Sequence, residues 1–327
     1  MGNSRALRGV ARVLVPVVAI ATTWLMARSA GAFCRTTTCP LPADFDPSVE
    51  GSCYPVDFAQ YCQSLERPSK ALPLWWRNAC VSYDLQQDVT SNLSYATAAA
   101  IVDQSFAKWS TISCDGGGVS IAAMNLGPVA CDKVEYNSDQ GNQHVIVFRN
   151  PWPHENDRLN ALGLTTVTFD ADTGEIYDAD TEINASMPLS VDGLGTYDFE
   201  SIITHEAGHF LGLAHSVNSG ATMYAHYVAG STTMRTLSTD DIDGICSVYP
   251  PDGTRAVDPS VTPSGAFPED RCDPTPRHGF SPQCAPGATG CSVAAPGAAR
   301  GTSRERALVL GVLLLGAASP RRRRWIP

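Results

Sequence analysis

The chain has 327 residues, with 23 Lys+Arg against 33 Asp+Glu, a formal net charge of −10, and 11 cysteines. Between Phe33 and Gly290 the imbalance steepens to 12 basic and 32 acidic residues, a net charge of −20. Such a surface repels phosphate backbones, which excludes nucleic acid as a partner, and the cysteine content excludes a reducing compartment.

Residues 1–32 read as a secretory signal peptide: Arg5, Arg8 and Arg12 precede an apolar core from Val13 to Ala27, and Ala30-Gly31-Ala32 forms an A-x-A cleavage site. Residues 33–74 are rich in Cys, Pro and Asp and too short for a core without staples. They are expected as a disulfide-tied extension on the main domain. Residues 75–250 suffice for one domain. There Val81, Tyr83 and Leu85 alternate as a strand face, and a helix from about Ser94 carries Val102, Phe106 and Trp109 at helical spacing. Strands follow at Val119–Met124, His144–Arg149 and Gly163–Asp170, and Asp172-Thr173-Gly174 turns the last into Ile176–Asn184. A second helix is expected after Thr196 as N-cap, with Asp198 and Glu200 in its first turn, where the dipole favours acids. Ser238 and Asp241 are spaced as a capping box for a last helix with Ile242, Ile245 and Tyr249 as its inner stripe.

Residues 251–290 are Pro/Gly-rich and read as a stalk. Residues 291–327 hold Cys291, an apolar run from Ala307 to Ala318 and the block Arg321–Arg324. The run is shorter than the roughly 20 residues of a spanning helix, and the positive block would hold its end in the cytoplasm. Cys291 aside, ten cysteines suit five disulfides. Spacing suggests Cys34–Cys39, Cys53–Cys62, Cys114–Cys131 and Cys272–Cys284 as local loops, with Cys80–Cys246 as a long staple, although connectivity is not fixed by sequence.

The chemistry concentrates in His205-Glu206-Ala207-Gly208-His209-Phe210-Leu211-Gly212-Leu213-Ala214-His215. Helix residues four apart share a face, so His205 and His209 can hold one metal with Glu206 beside its water. Gly212 can break the helix, and the chain returns His215 as third ligand. Three ligands with an open position describe a catalytic Zn2+ site. A catalytically silent binding module would be marked by loss of the glutamate or a ligand; all four side chains are present.

This string resembles the metzincin zinc peptidases. Ser216, the Met-turn-like Ser219–Tyr224 and the helix start Leu237–Ile245 resemble the matrixin branch, as do Trp76–Leu85 and Tyr95–Trp109 upstream, so the similarity covers about residues 75–250. It implies an α+β fold with a twisted mixed five-stranded sheet, an active-site helix and a C-terminal helix. It further implies a zinc metalloendopeptidase acting on protein or peptide substrates, Glu206 as general base and Met223 beneath the metal. The edge strand near Leu164–Phe169 would pair with an extended substrate. Tyr224–Tyr227 would line the pocket for the residue after the cleaved bond, and the small Ser201 would leave that pocket deep. Matrixins bind structural Ca2+ in a similar region; among the acids of the hairpin, Asp180 and Glu182 are the expected ligands.

There are departures from the family pattern. No P-R-C-G cysteine motif occurs, and Asn150–Leu162 lacks the H-x-D ligands of a second zinc; His144 and His154 read as ordinary polar residues. The C-terminal arrangement resembles the MYXO-CTERM sorting signal. It implies secretion across the inner membrane, lipid-anchoring or processing machinery acting near Cys291, and display on the cell surface; a plain tail anchor is the other reading. The chain is expected as a monomer.

Overall fold

The computed structural model describes residues 33–90, 92–154, 161–255 and 273–284, and the backbone of 305–312 and 314–315. The expected signal peptide, most of the stalk, Cys291 and the arginine block lie outside them. Among the described residues no helix is long and apolar enough to cross a membrane.

Two short helices, α1 (Pro47–Glu50) and α2 (Phe58–Ser64), belong to the N-terminal extension. Then come β1 (Trp75–Trp76), β2 (Cys80–Gln86), α3 (Tyr95–Ser110), β3 (Ser113–Cys114), β4 (Gly117–Gly118), β5 (Ala122–Val129), β6 (Val145–Arg149), β7 (Gly163–Asp170) and β8 (Glu175–Asn184). The remainder is β9 (Leu189–Ser190), β10 (Tyr197–Asp198), α4 (Phe199–Phe210), β11 (His226–Tyr227), α5 (Thr239–Val248), β12 (Glu305–Val312) and β13 (Leu314–Leu315). The main sheet has the order β12-β7-β8-β6-β2-β5, and β1 pairs with β8. The expected five strands make up the run β7-β8-β6-β2-β5, and β1 and β12 raise the count to seven. β2, β5, β6 and β8 run parallel, and β7 returns antiparallel as a hairpin with β8. A parallel centre wants cover on both faces, and Val145–Phe148 and Ile176–Asn184 are buried along their whole length.

Two boundaries differ from the sequence reading. The strand expected from Val119 begins at Ala122, because the β3–β4 hairpin intervenes and the Val119 N–H is taken by the Ile112 carbonyl. Asp198, not Thr196, caps α4. Its carboxylate accepts the Ser201 N–H at 2.9 Å and is held by Arg235 Nε at 2.8 Å. A charged acceptor outcompetes a hydroxyl there, and the Thr196 carbonyl is used by the Gly230 N–H.

α4 is the centre of the core, and every one of its twelve residues is buried. Side chains from other elements close its backbone. Trp109 Nε1 donates to the Thr204 carbonyl (2.9 Å), Trp76 Nε1 to Phe210 (2.8 Å) and the Tyr249 hydroxyl to Leu211 (2.8 Å). Trp109 of α3 and Met223 both press on Gly208. A Cβ there would stand 2.3 Å from Met223 Sδ and 2.9 Å from Trp109 Cζ2.

None of the five expected disulfides forms. The bonds are Cys34–Cys53, Cys39–Cys62, Cys114–Cys246 and Cys131–Cys284, and Cys80 is also bonded, though not to Cys246. The reason is visible at the N-terminus. The chain after Cys34 is held open by the bridges of Arg35 to Leu213 and Thr37 to Pro73, so Cys34 and Cys39 do not close on each other. Both cysteines bond instead to the returning chain. Cys114 and Cys246 are brought together because β3 follows α3 onto the flank of α5.

The Gly208 packing makes a prediction with a sign. Alanine is the better helix former by about 1 kcal/mol, yet overpacking here should exceed that and leave a net loss of about 2 kcal/mol. Gly208→Ala should lower the thermal midpoint by roughly 4–8 °C in a domain of this size; a raised midpoint would contradict the packing.

Candidate metal centre

His205, His209 and His215 form the group, among the described residues, whose ligand atoms converge, all within 4.8 Å of one another. α4 supplies the first two from one face. Gly212 ends the helix at φ +94°, where a Cβ would also stand 3.1 Å from the Leu74 carbonyl. The reversed chain pairs with the extension, through Thr36 N–H to Gly212 and Ala214 N–H to Cys34, and delivers His215.

The tautomers are dictated by the backbone. His205 Nδ1 lies 2.7 Å from the Thr222 carbonyl and His209 Nδ1 2.8 Å from the Leu213 carbonyl. A carbonyl only accepts, so both Nδ1 atoms carry the proton and both Nε2 atoms present lone pairs. These two Nε2 atoms are 3.0 Å apart. Two acceptors cannot hydrogen-bond each other, whereas ligands of one tetrahedral zinc lie about 3.3 Å apart. His215 Nε2 is buried and has no partner. Burial lowers the His205 imidazole to about 4 and His215 to about 3, and it holds His209 well below the ordinary value. Neutral imidazoles with converging lone pairs fit a divalent cation of zinc's type.

Glu206 is fully buried beside them. Its Oε2 accepts the Thr165 hydroxyl at 2.7 Å, while Oε1 has no partner. Burial pushes its carboxyl well above the ordinary range, and the Thr165 hydrogen bond opposes the shift. The first residue of β7 leaves room for it, since a Cβ on Gly163 would stand 2.6 Å from Oε1. Neither Gly163 nor Thr165 carries a local sequence signal for this role. Asp241 was legible only as half of a capping box. Its carboxylate also accepts the Thr222 N–H (2.8 Å) and Met223 N–H (3.0 Å), tying the turn beneath the histidines to α5. Met223 is buried against Gly208, between the two helical histidines.

The other expected residues divide. Leu164 is buried in β7 with Trp152 and Ala161. Ser201 is buried with its hydroxyl unpartnered. Tyr224 packs edge-on against His226. The Tyr227 hydroxyl takes the Asp198 N–H and donates to Ser231. Asp180 and Glu182, expected as calcium ligands, both have partners within the protein. Asp180 accepts the Val145 N–H, and burial raises its carboxyl to about 8. Glu182 is bound by Arg149 and His154. His144 is buried against Trp76, with Nδ1 2.9 Å from the Ser82 carbonyl.

The chain resembles the collagenases over this region. Human (Homo sapiens) neutrophil collagenase is 39% identical over 79 residues, 24% of this chain and 16% of that protein. Interstitial collagenase of Oryctolagus cuniculus is 25% identical over 184 residues, 54% and 33% of the two chains. Metalloendoproteinase 1-MMP of Arabidopsis thaliana is 34% identical over 93 residues, 28% and 23%. The matched region thus spans a third or less of the length of these relatives. The matrixin family model matches residues 75–250, more than half of the chain. The chain therefore belongs to the matrixin family of zinc-dependent metallopeptidases.

Proposed function

We propose that the chain is an active metalloendopeptidase that cleaves protein or peptide substrates outside the cell, with His205, His209 and His215 holding zinc. The observation that carries the reading is the buried Glu206 carboxylate, with one oxygen held by Thr165 and the other free beside three convergent imidazoles. Zinc, when bound, lowers the pKa of water to about 7 and polarises a carbonyl. Glu206 Oε1 then takes the proton of the attacking water and hands it to the leaving nitrogen. Thr165 and the bare Gly163 fix which way that carboxylate points. The backbone edge of β7 aligns an extended substrate, and Ser201 and Tyr224 stand at the pocket for the residue after the cleaved bond. Secretion, and display through Cys291 and the basic terminus, form part of the same proposal; its support is the sequence pattern at the two ends.

Glu206→Gln should keep the fold and the zinc but lower kcat about 10²–10⁴-fold on a denatured protein substrate. Turnover near wild type would assign the base elsewhere. Gly163→Ala should displace the carboxylate and lower kcat about 10²-fold at unchanged zinc content, as single-turnover assays would measure.

The imidazole values set a pH dependence. Because they lie near 4 and 3, below the ordinary 6.5, the neutral donor form persists as pH falls through 6.5 and is lost only near 4. Zinc content after gel filtration should therefore be the same at pH 7.5 and pH 5; loss by pH 6 would show the histidines to be exposed.

A further inference from the structure

The N-terminal extension meets the metal-binding segment along one short pairing. Arg35 stands opposite Leu213 in an antiparallel bridge. On either side of it the Thr36 N–H donates to the Gly212 carbonyl (3.1 Å) and the Ala214 N–H to the Cys34 carbonyl (3.0 Å). In a pair of this kind the two central residues turn their own N–H and C=O away from the partner chain. Leu213 therefore directs both groups toward α4. Its N–H donates to the Gly208 carbonyl (3.0 Å), and its C=O accepts the His209 Nδ1–H (2.8 Å). The carbonyl that fixes the second ligand is thus oriented by the extension. Gly212, Leu213 and Ala214 also lead straight into His215, and the backbone they form sets where that ring stands. The grip has a second point. Asp46 caps α1 through Oδ1 and accepts from His226 Nε2 through Oδ2 (2.8 Å). Two residues before His226, Tyr224 bridges to Ser216, next to His215. Both points of contact, Cys34–Thr36 and Asp46, lie in the loop that the Cys34–Cys53 bond closes.

We propose that this closed loop is a clamp that positions two of the three metal ligands, His209 and His215, with Cys34, Thr36 and Asp46 as its positioning residues. The inference rests on the zinc reading of the three histidines and does not depend on peptide cleavage. Outer groups that orient a ligating imidazole carry a large share of a site's affinity. Here the outer group of His209 is a backbone carbonyl, and what aims it is a pairing of only two hydrogen bonds. So short a ladder frays unless its far strand is tethered, and the Cys34–Cys53 bond is the tether, since it limits how far the extension can move away. With the loop open, His209 loses a fixed acceptor and His215 loses support on its N-terminal side. Support on the other side remains, because the Ser216 N–H donates to the Met223 carbonyl (2.7 Å). The packing agrees with this role. A Cβ on Gly244 of α5 would stand 3.2 Å from Phe33 and 3.4 Å from Leu213 Cδ2, so the residue before Cys34 and the residue it helps to aim rest on one spot of the last helix.

The test uses the full chain and zinc. Coupling between two sites is reciprocal, so in the wild type zinc should slow hydrogen exchange at the Thr36 and Ala214 amides at least about fivefold. The Tyr61 amide in α2 should exchange at the same rate with and without metal. Zinc release into excess pyridylazoresorcinol should be about 10–100-fold faster from Cys34→Ser/Cys53→Ser than from the wild type. Cys131→Ser/Cys284→Ser, which removes a bond outside the extension, should release zinc at the wild-type rate. In chains labelled with ¹⁵N-histidine, the Nδ1–H signal of His209 should be lost in Cys34→Ser/Cys53→Ser. That of His205, whose acceptor is the Thr222 carbonyl, should remain. Indifference of the Thr36 and Ala214 amides to zinc, or equal zinc release from the two double variants, overturns the clamp and leaves the metal reading standing. A wild-type chain that takes up no zinc overturns both. If Cys34→Ser/Cys53→Ser does not fold, the exchange measured on the wild type decides alone.

Discussion

Three imidazole lone pairs directed at one buried point repel one another, and the rest of the domain is arranged to hold them there. Two of the rings are fixed by hydrogen bonds from Nδ1 to backbone carbonyls at Thr222 and Leu213. Neither carbonyl belongs to α4. One lies in the turn carrying Met223 and the other in the reversal after Gly212. The direction of each lone pair is thus set by chain segments brought in by tertiary structure. Without a cation the arrangement stores unfavourable electrostatics, and with one it gains the metal's binding free energy only in the folded state.

Those two segments are in turn held by α5. Asp241 accepts backbone N–H groups of Thr222 and Met223 while it closes the capping box with Ser238, and Ser216 donates to the neighbouring Asp240. Burial raises the Asp241 carboxyl, and these N–H and hydroxyl donors oppose that shift. A carboxylate that caps one helix and orients a turn under another links metal geometry to the last helix of the domain. The Cys114–Cys246 bond ties the same helix to β3, which follows α3.

How much of this is legible in sequence follows from range. The ligand triad could be read because helical spacing places His205 and His209 locally and one glycine accounts for the return. The β7–β8 hairpin was legible from Asp172-Thr173-Gly174, which joins two runs of strand formers. The disulfides were not, because all four described bonds join residues 19 to 153 apart, and local spacing carries no information about such closures. Gly208 occupies a position that the metal motif leaves open, yet Met223 and Trp109 leave no room there for a Cβ. Thr165 and Gly163 meet Glu206 only because β7 passes over α4, a juxtaposition that no window of the sequence contains. The N-cap misreading has the same source: Asp198 outranks Thr196 through Arg235, 37 residues away.

The edge of β7 presents the fold with a general difficulty. A strand that binds substrates by backbone pairing must keep its hydrogen-bonding groups accessible, and an accessible edge pairs with whatever extended chain is nearest. The devices that blunt other edges, such as proline, bulges or inward charge, would also destroy binding. Among the residues of β7, only Asp170 at its far end is charged, and none is proline. A competent cleft of this type must therefore be left open to unwanted pairing or covered by a segment that can be removed. In this chain the edge is covered, because the backbone of Glu305–Val312 pairs along β7 from Asp170 to Leu164.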